Sequence, residues 1–182
     1  MMIFAATTNR FLRAVCWTLL PALALASLSC DGEGKSSSVG QMAPDFEFTP
    51  IDGKPQRLSD LKGQPVIVNF FATWCPPCLT ELPELDRKIA RPFADRGLVV
   101  LIIGLDQVSD DVADFKEKTD YSFVVATDPK SAIFSKFTME DSIPQTFLIK
   151  PDGTIAMHLK GYEPSELQEL KVQVQKLLPA AR

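Results

Sequence analysis

Two near-continuous apolar runs, PVIVNFF at 65–71 and LVVLIIGL at 98–105, dominate the hydrophobic pattern of the chain. Short runs with almost no polar alternation are the pattern of parallel strands covered on both faces. Between them Leu79, Leu82, Leu85, Ile89 and Phe93 recur at helical spacing, which predicts a helix with these residues on its buried side. Pro83 lies inside it and removes one internal hydrogen bond, so a kink is expected there. Strand, helix and strand in succession make a βαβ unit, whose crossover is right-handed. A second helix at about 108–119, a short strand at FVVA (123–126) and a helical turn near 130–137 follow.

After residue 140 the pattern becomes antiparallel. QTFLIK and TIAMHLK flank Pro151-Asp152-Gly153, whose proline presets a turn and whose glycine accepts positive φ, so the two runs form a hairpin. Pro164 opens a closing helix with Leu167, Leu170, Val174, Leu177 and Leu178 along one face. Near the start, DFEFTP and PQRL flank a turn at Ile51-Asp52-Gly53-Lys54, an N-terminal hairpin. The expected fold is α/β: a central mixed β-sheet flanked by helices, with an N-terminal β-hairpin extension, over residues 40–182. His158 alternates with Met157 and Leu159 and is expected to face the less apolar side of the last strand, with no catalytic duty.

Composition adds two constraints. Hydrophobic residues make up 46% of 182 and charged residues 23%, enough to bury one core. The first 30 residues have the outline of a signal peptide: Arg10 and Arg13, then the apolar stretch 14–28, with no acidic residue before Asp31. That stretch is interrupted by Pro21 and is shorter than the roughly 20 residues of a spanning helix. It ends in ASLSC, which resembles a bacterial lipoprotein box and makes Cys30 the candidate lipidation site. Cleavage after Ala24-Leu25-Ala26 and retention as an anchor are the alternatives. DGEGKSSSV, 31–39, reads as a flexible tether with a reach of about 16 Å. Removal of Arg10 and Arg13 with the signal leaves 17 Lys and Arg against 23 Asp and Glu, a net charge of −6. An acidic surface excludes nucleic acid as a partner and leaves membrane attachment to the N-terminus.

The four cysteines, at 16, 30, 75 and 78, are too few and too uneven for a disulfide-stapled scaffold. Cys75 follows a central strand and begins a helix, where backbone N–H groups and the helix dipole favour a thiolate. It is the candidate nucleophile. Cys78, three residues on, can attack a mixed disulfide and release the substrate. Pro76 and Pro77 between them have no N–H, which leaves the thiolate of Cys75 fewer donors and makes the reduced form a better reductant.

Trp74-Cys75-Pro76-Pro77-Cys78 after a buried strand resembles the thioredoxin superfamily. GQMAPDF (40–46), LSDLKG (58–63), VNFFATWCPPC and IPQTFLIKPDG, in that order, resemble its TlpA-like branch of membrane-attached thiol-disulfide oxidoreductases, which includes the ResA-like and CcmG-like proteins. The resemblance implies a thioredoxin-like fold without cofactor or metal, and disulfide-containing exported proteins such as apocytochrome c as substrates. It also implies a periplasmic location and a membrane electron donor of the DsbD or CcdA kind. Trp74 matches the family's exposed tryptophan beside the substrate groove, and Ile143-Pro144 its cis-proline loop, where the backbone of residue 143 pairs with an extended substrate. Asn69 stands where thioredoxin has a buried aspartate and cannot titrate. Glu81, three residues beyond Cys78, then becomes the candidate base, and burial beside two sulfurs is expected to raise its pKa toward neutral.

Three other readings bear on the same cysteines. A zinc site needs four ligands, and only His158 joins the pair. A peroxiredoxin-like peroxidase, which shares the fold and the APDF opening, is expected to carry proline at 68 and a hydroxyl residue at 72, where this chain has Val68 and Ala72. A copper-binding module of this fold resembles CxxxC with a partner histidine rather than CxxC.

Overall fold

The computed structural model describes residues 37–179. Cys16, Cys30, the leader and the first part of the expected tether lie outside the described residues. Five strands form the central sheet in the order β5-β4-β3-β6-β7. β3 (Val66–Phe71), β4 (Val99–Gly104) and β5 (Val124–Thr127) are parallel, β6 (Gln145–Ile149) runs antiparallel to β3, and β7 (Ile155–Lys160) runs antiparallel to β6 and so in the direction of β3 again. The hairpin of β1 (Glu47–Phe48) and β2 (Gln56–Arg57) is a separate two-stranded ribbon. Every residue of β3 is buried, as expected of a strand with neighbours on both edges and cover on both faces.

One face of the sheet is covered by α1 (Pro76–Leu85), α2 (Arg91–Phe93), α3 (Ser109–Lys118) and α5 (Pro164–Leu177), through Leu82, Leu85, Phe93, Val112, Leu167, Leu170 and Val174. Val112 packs directly over Gly104: a Cβ at that glycine would meet its methyl at 2.5 Å. The other face is covered by the N-terminal hairpin and α4 (Phe134–Phe137). Here Phe70 is edge-on to Phe134, Phe137 and Phe147, with centroids 5.0, 5.4 and 6.2 Å away.

Four details differ from the sequence reading. Leu79 is 42% exposed, because it lies about 100° around the helix from Cys78, off the stripe that Cys78, Leu82 and Leu85 bury. The α-helix continues past Pro83 to Leu85, with the N–H of Asp86 reaching the carbonyls of both Leu82 and Pro83, and widens into a π-type turn only at Asp86–Ala90, where the N–H of Arg91 reaches the carbonyl of Asp86. His158 lies on the phenylalanine-rich face, its ring stacked on Phe147. Ser37, near the end of the expected tether, is buried, and its N–H donates to the carbonyl of Phe137 at 2.8 Å.

The phenylalanine cluster predicts a large local cost: Phe70→Ala lowers unfolding stability by about 3–5 kcal/mol. The check is urea denaturation of the protein, with a lowered midpoint at an unchanged slope.

Candidate active site

Cys75 caps the amino end of α1 in an extended conformation, and the first two helical residues after it are Pro76 and Pro77. Proline suits these positions because its fixed φ is helical and its missing N–H has no partner to lose. Cys75 and Cys78 are joined as a disulfide, with their Cα atoms 5.3 Å apart. The N–H of Cys78 donates to Cys75 Sγ at 3.3 Å. The two prolines therefore remove their own donors but leave this one in place. Cys75 is 3% exposed and Cys78 0%, so what little access there is favours Cys75.

The segment that leads into the pair is held from β4. Asp106, just beyond that strand, is buried and accepts from the N–H and the hydroxyl of Thr73. Trp74, next along, is 69% exposed. The Ile143-Pro144 peptide is cis, and the carbonyl of Ile143 stands 3.9 Å from Cys75 Sγ. Trp74, Ile143, Leu105, Phe134, Met139 and Asp141 help to line a cleft of about 420 Å³ beside the disulfide.

Beneath Cys78, Glu81 is 1% exposed and faces β3 and β6. Its Oε2 accepts from Asn69 Nδ2 at 3.0 Å and its Oε1 from the Thr146 hydroxyl at 2.9 Å. Asn69 Nδ2 also donates to Thr146 Oγ1 at 2.8 Å, closing a ring of three buried side chains. Burial raises the Glu81 pKa to about 7, against the two hydrogen bonds that favour its charged form. The sequence reading named Cys75, Cys78, Glu81, Trp74, Ile143 and Pro144 as candidates, and the structure places all six at one end of the sheet. It missed Thr146 and Asp106. Thr146 was visible only as a polar residue inside an apolar strand. Among the described residues no three His, Cys, Asp or Glu side chains converge on a cation site.

A dithiol pair closed at the head of a helix, after the central strand of this sheet, defines the class as a thioredoxin-fold dithiol–disulfide protein. Residues 39–158 match the AhpC/TSA family. A thiol-disulfide oxidoreductase ResA of Bacillus cereus (strain ZK / E33L) is 31% identical over 78% of this chain and 79% of its own. A structure described as a thiol:disulfide interchange protein DsbE from Chlorobium tepidum superposes with a TM-score of 0.72 at 28% identity, over 78% of this chain and 99% of that one. The exposed lipoprotein thioredoxin Etrx1 of Streptococcus pneumoniae strain TIGR4 is 29% identical with a TM-score of 0.61, over 74% of this chain and 100% of that one. The chain belongs to the AhpC/TSA family, among the thiol-disulfide oxidoreductases of the ResA kind.

The buried carboxyl makes stability depend on pH. Glu81 titrates at about 7 when folded, against an ordinary value of 4.5, so between these values the folded state holds a proton that the unfolded chain has lost. Its contribution is full below about pH 4.5 and is lost as pH rises through about 7, a change on the order of 3 kcal/mol. Urea midpoints between pH 4 and 8 are expected to carry this fall in wild type and to lose it in Glu81→Gln.

Proposed function

We propose that the protein, a thiol-disulfide oxidoreductase, acts as a reductase of disulfides in exported proteins through Cys75 and Cys78. The observation that carries the reading is the Cys75–Cys78 disulfide at the amino end of α1 with Glu81 buried one turn behind it. In the reduced protein the Cys75 thiolate attacks one sulfur of a substrate disulfide. That bond breaks, a mixed disulfide forms, and the other substrate sulfur leaves as a thiolate that takes up a proton. Cys78 then gives its proton to the Glu81 carboxylate and attacks Cys75 Sγ, which releases the second substrate sulfur as a thiolate that takes up a proton from water and closes the Cys75–Cys78 disulfide. Two electrons have passed to the substrate. A membrane dithiol donor of the DsbD or CcdA kind restores the reduced form.

Trp74 and the backbone of Ile143 border the cleft and serve as the substrate-binding edge, with the cis peptide presenting residue 143 to an extended chain. The location is extracytoplasmic, with Cys30 lipidated after signal cleavage and residues 40–182 forming the catalytic domain. The apolar leader ending in ASLSC and the likeness to a lipoprotein thioredoxin support this. The family also invites a peroxidase reading. Val68 and Ala72, both wholly buried, stand where the peroxidatic pattern has proline and a hydroxyl residue.

Two experiments test the proposal. Cys78→Ser is expected to trap a mixed disulfide on Cys75 with a small set of exported proteins that carry paired cysteines. Capture of nothing by a folded, reactive variant overturns the reductase reading. Glu81→Gln is expected to leave the attack by Cys75 largely intact and to slow resolution by about 10²- to 10⁴-fold, the usual worth of a general base. Stopped-flow kinetics between pH 5 and 9 read it, and profiles that superimpose on wild type remove Glu81 from the mechanism.

A further inference from the structure

Behind the proline loop, on the sheet face away from α1, stands a polar pair that the cysteine chemistry leaves unexplained. Gln145, the first residue of β6, is wholly buried. Its Nε2 donates to the carbonyl of Ser142 at 2.8 Å and to that of Glu140 at 3.3 Å. Its Oε1 meets His158 Nε2 at 2.9 Å. With the amide nitrogen committed to two carbonyls, only the oxygen can face the imidazole, so His158 carries its proton on Nε2 and donates. The imidazole is itself held flat on Phe147, with centroids 4.0 Å apart and the planes 14° from parallel.

The chain between α4 and β6 has no helix or strand of its own. Such a segment depends on side chains to satisfy and fix its backbone. The Gln145 amide binds it at two points immediately before the cis peptide, and the same segment brings Met139, Asp141 and Ile143 to the cleft beside Trp74. Ile143 is the residue whose carbonyl stands 3.9 Å from Cys75 Sγ. We propose that Gln145 and His158 are positioning residues for the reaction: His158 orients the Gln145 amide, and the amide fixes the Glu140–Ser142 carbonyls so that the backbone of Ile143 is set to pair with an extended polypeptide beside Cys75. This rests on the oxidoreductase reading of Cys75 and Cys78.

A positioning role separates protein substrates from small ones, because only a polypeptide uses the Ile143 backbone. The experiment measures insulin-disulfide reduction, recharged with dithiothreitol, alongside the rate at which reduced Cys75 attacks the small aromatic disulfide DTNB. Gln145→Leu and His158→Leu are expected to raise KM for insulin about tenfold, the ratio that about 1.4 kcal/mol represents, with kcat and the DTNB rate within about twofold of wild type. His158→Gln, whose amide can still donate to Gln145, is expected to restore KM. If Gln145→Leu does not fold, the two His158 variants decide alone. An unmoved KM, or an insulin and a DTNB rate that fall together with the melting temperature, overturns the proposal. A wild-type protein inert toward insulin overturns the proposed reductase role toward protein disulfides and the positioning role with it, whereas an active wild type with unmoved variants removes the positioning role alone.

Discussion

The hydrogen bonds from Asn69 and Thr146 to a buried Glu81 tie together the three elements on which the site is built. β3 leads into Cys75, α1 carries both cysteines, and β6 begins at the proline loop. Burying a carboxylate costs several kcal/mol even after relaxation. Two hydrogen bonds to a charged group return about 1.5–3 kcal/mol each. The balance stays on the order of 3 kcal/mol against the charge, which is the physical content of a pKa near 7 rather than 4.5. A more polar setting would leave Glu81 permanently ionised and a poor proton acceptor. A drier one would leave it permanently protonated.

Most of the fold was legible because its strands are buried on both faces. A continuous apolar run such as PVIVNFF has few other uses in a chain this polar elsewhere. What escaped depended on partners far away in sequence. Ser37 is fixed by the carbonyls of Lys136 and Phe137, and no local pattern announces a contact across about a hundred residues. His158 looked like the polar member of an alternating strand, yet its flat ring stacks on Phe147 of the neighbouring strand. The donor lost at Pro83 was visible, but the π-type turn at Asp86–Ala90 beyond it was not.

The site divides along the same line. Cys75, Cys78 and Glu81 share one helix, so spacing alone placed them on one side. Asn69 drew notice only as a residue unable to titrate, whereas its amide proves to be the donor that links Glu81 to Thr146. Thr146 and Gln145 are adjacent and point to opposite faces of the sheet, one to the carboxyl beneath Cys78 and one to the loop beside Cys75. A strand that carries two polar residues at its first two positions, both wholly enclosed, carries them for their partners, and those partners are 65 and 13 residues away.

The prolines between the cysteines bear on the direction of electron flow in a way that the helix cap makes quantitative. A capping side chain accepts from the N–H of the second or third helical residue. Here the second is Pro77, which has none, and the third is Cys78, whose N–H already reaches Cys75 Sγ. One donor of two is therefore missing for the thiolate. A hydrogen bond to a charged group is worth about 1.5–3 kcal/mol, and 30 mV corresponds to about 1.4 kcal/mol for a two-electron couple, so the missing donor lowers the potential by roughly 30–60 mV. Thioredoxin and the strong oxidant DsbA differ by about 150 mV, so a single backbone donor is worth a substantial part of the range that such pairs span.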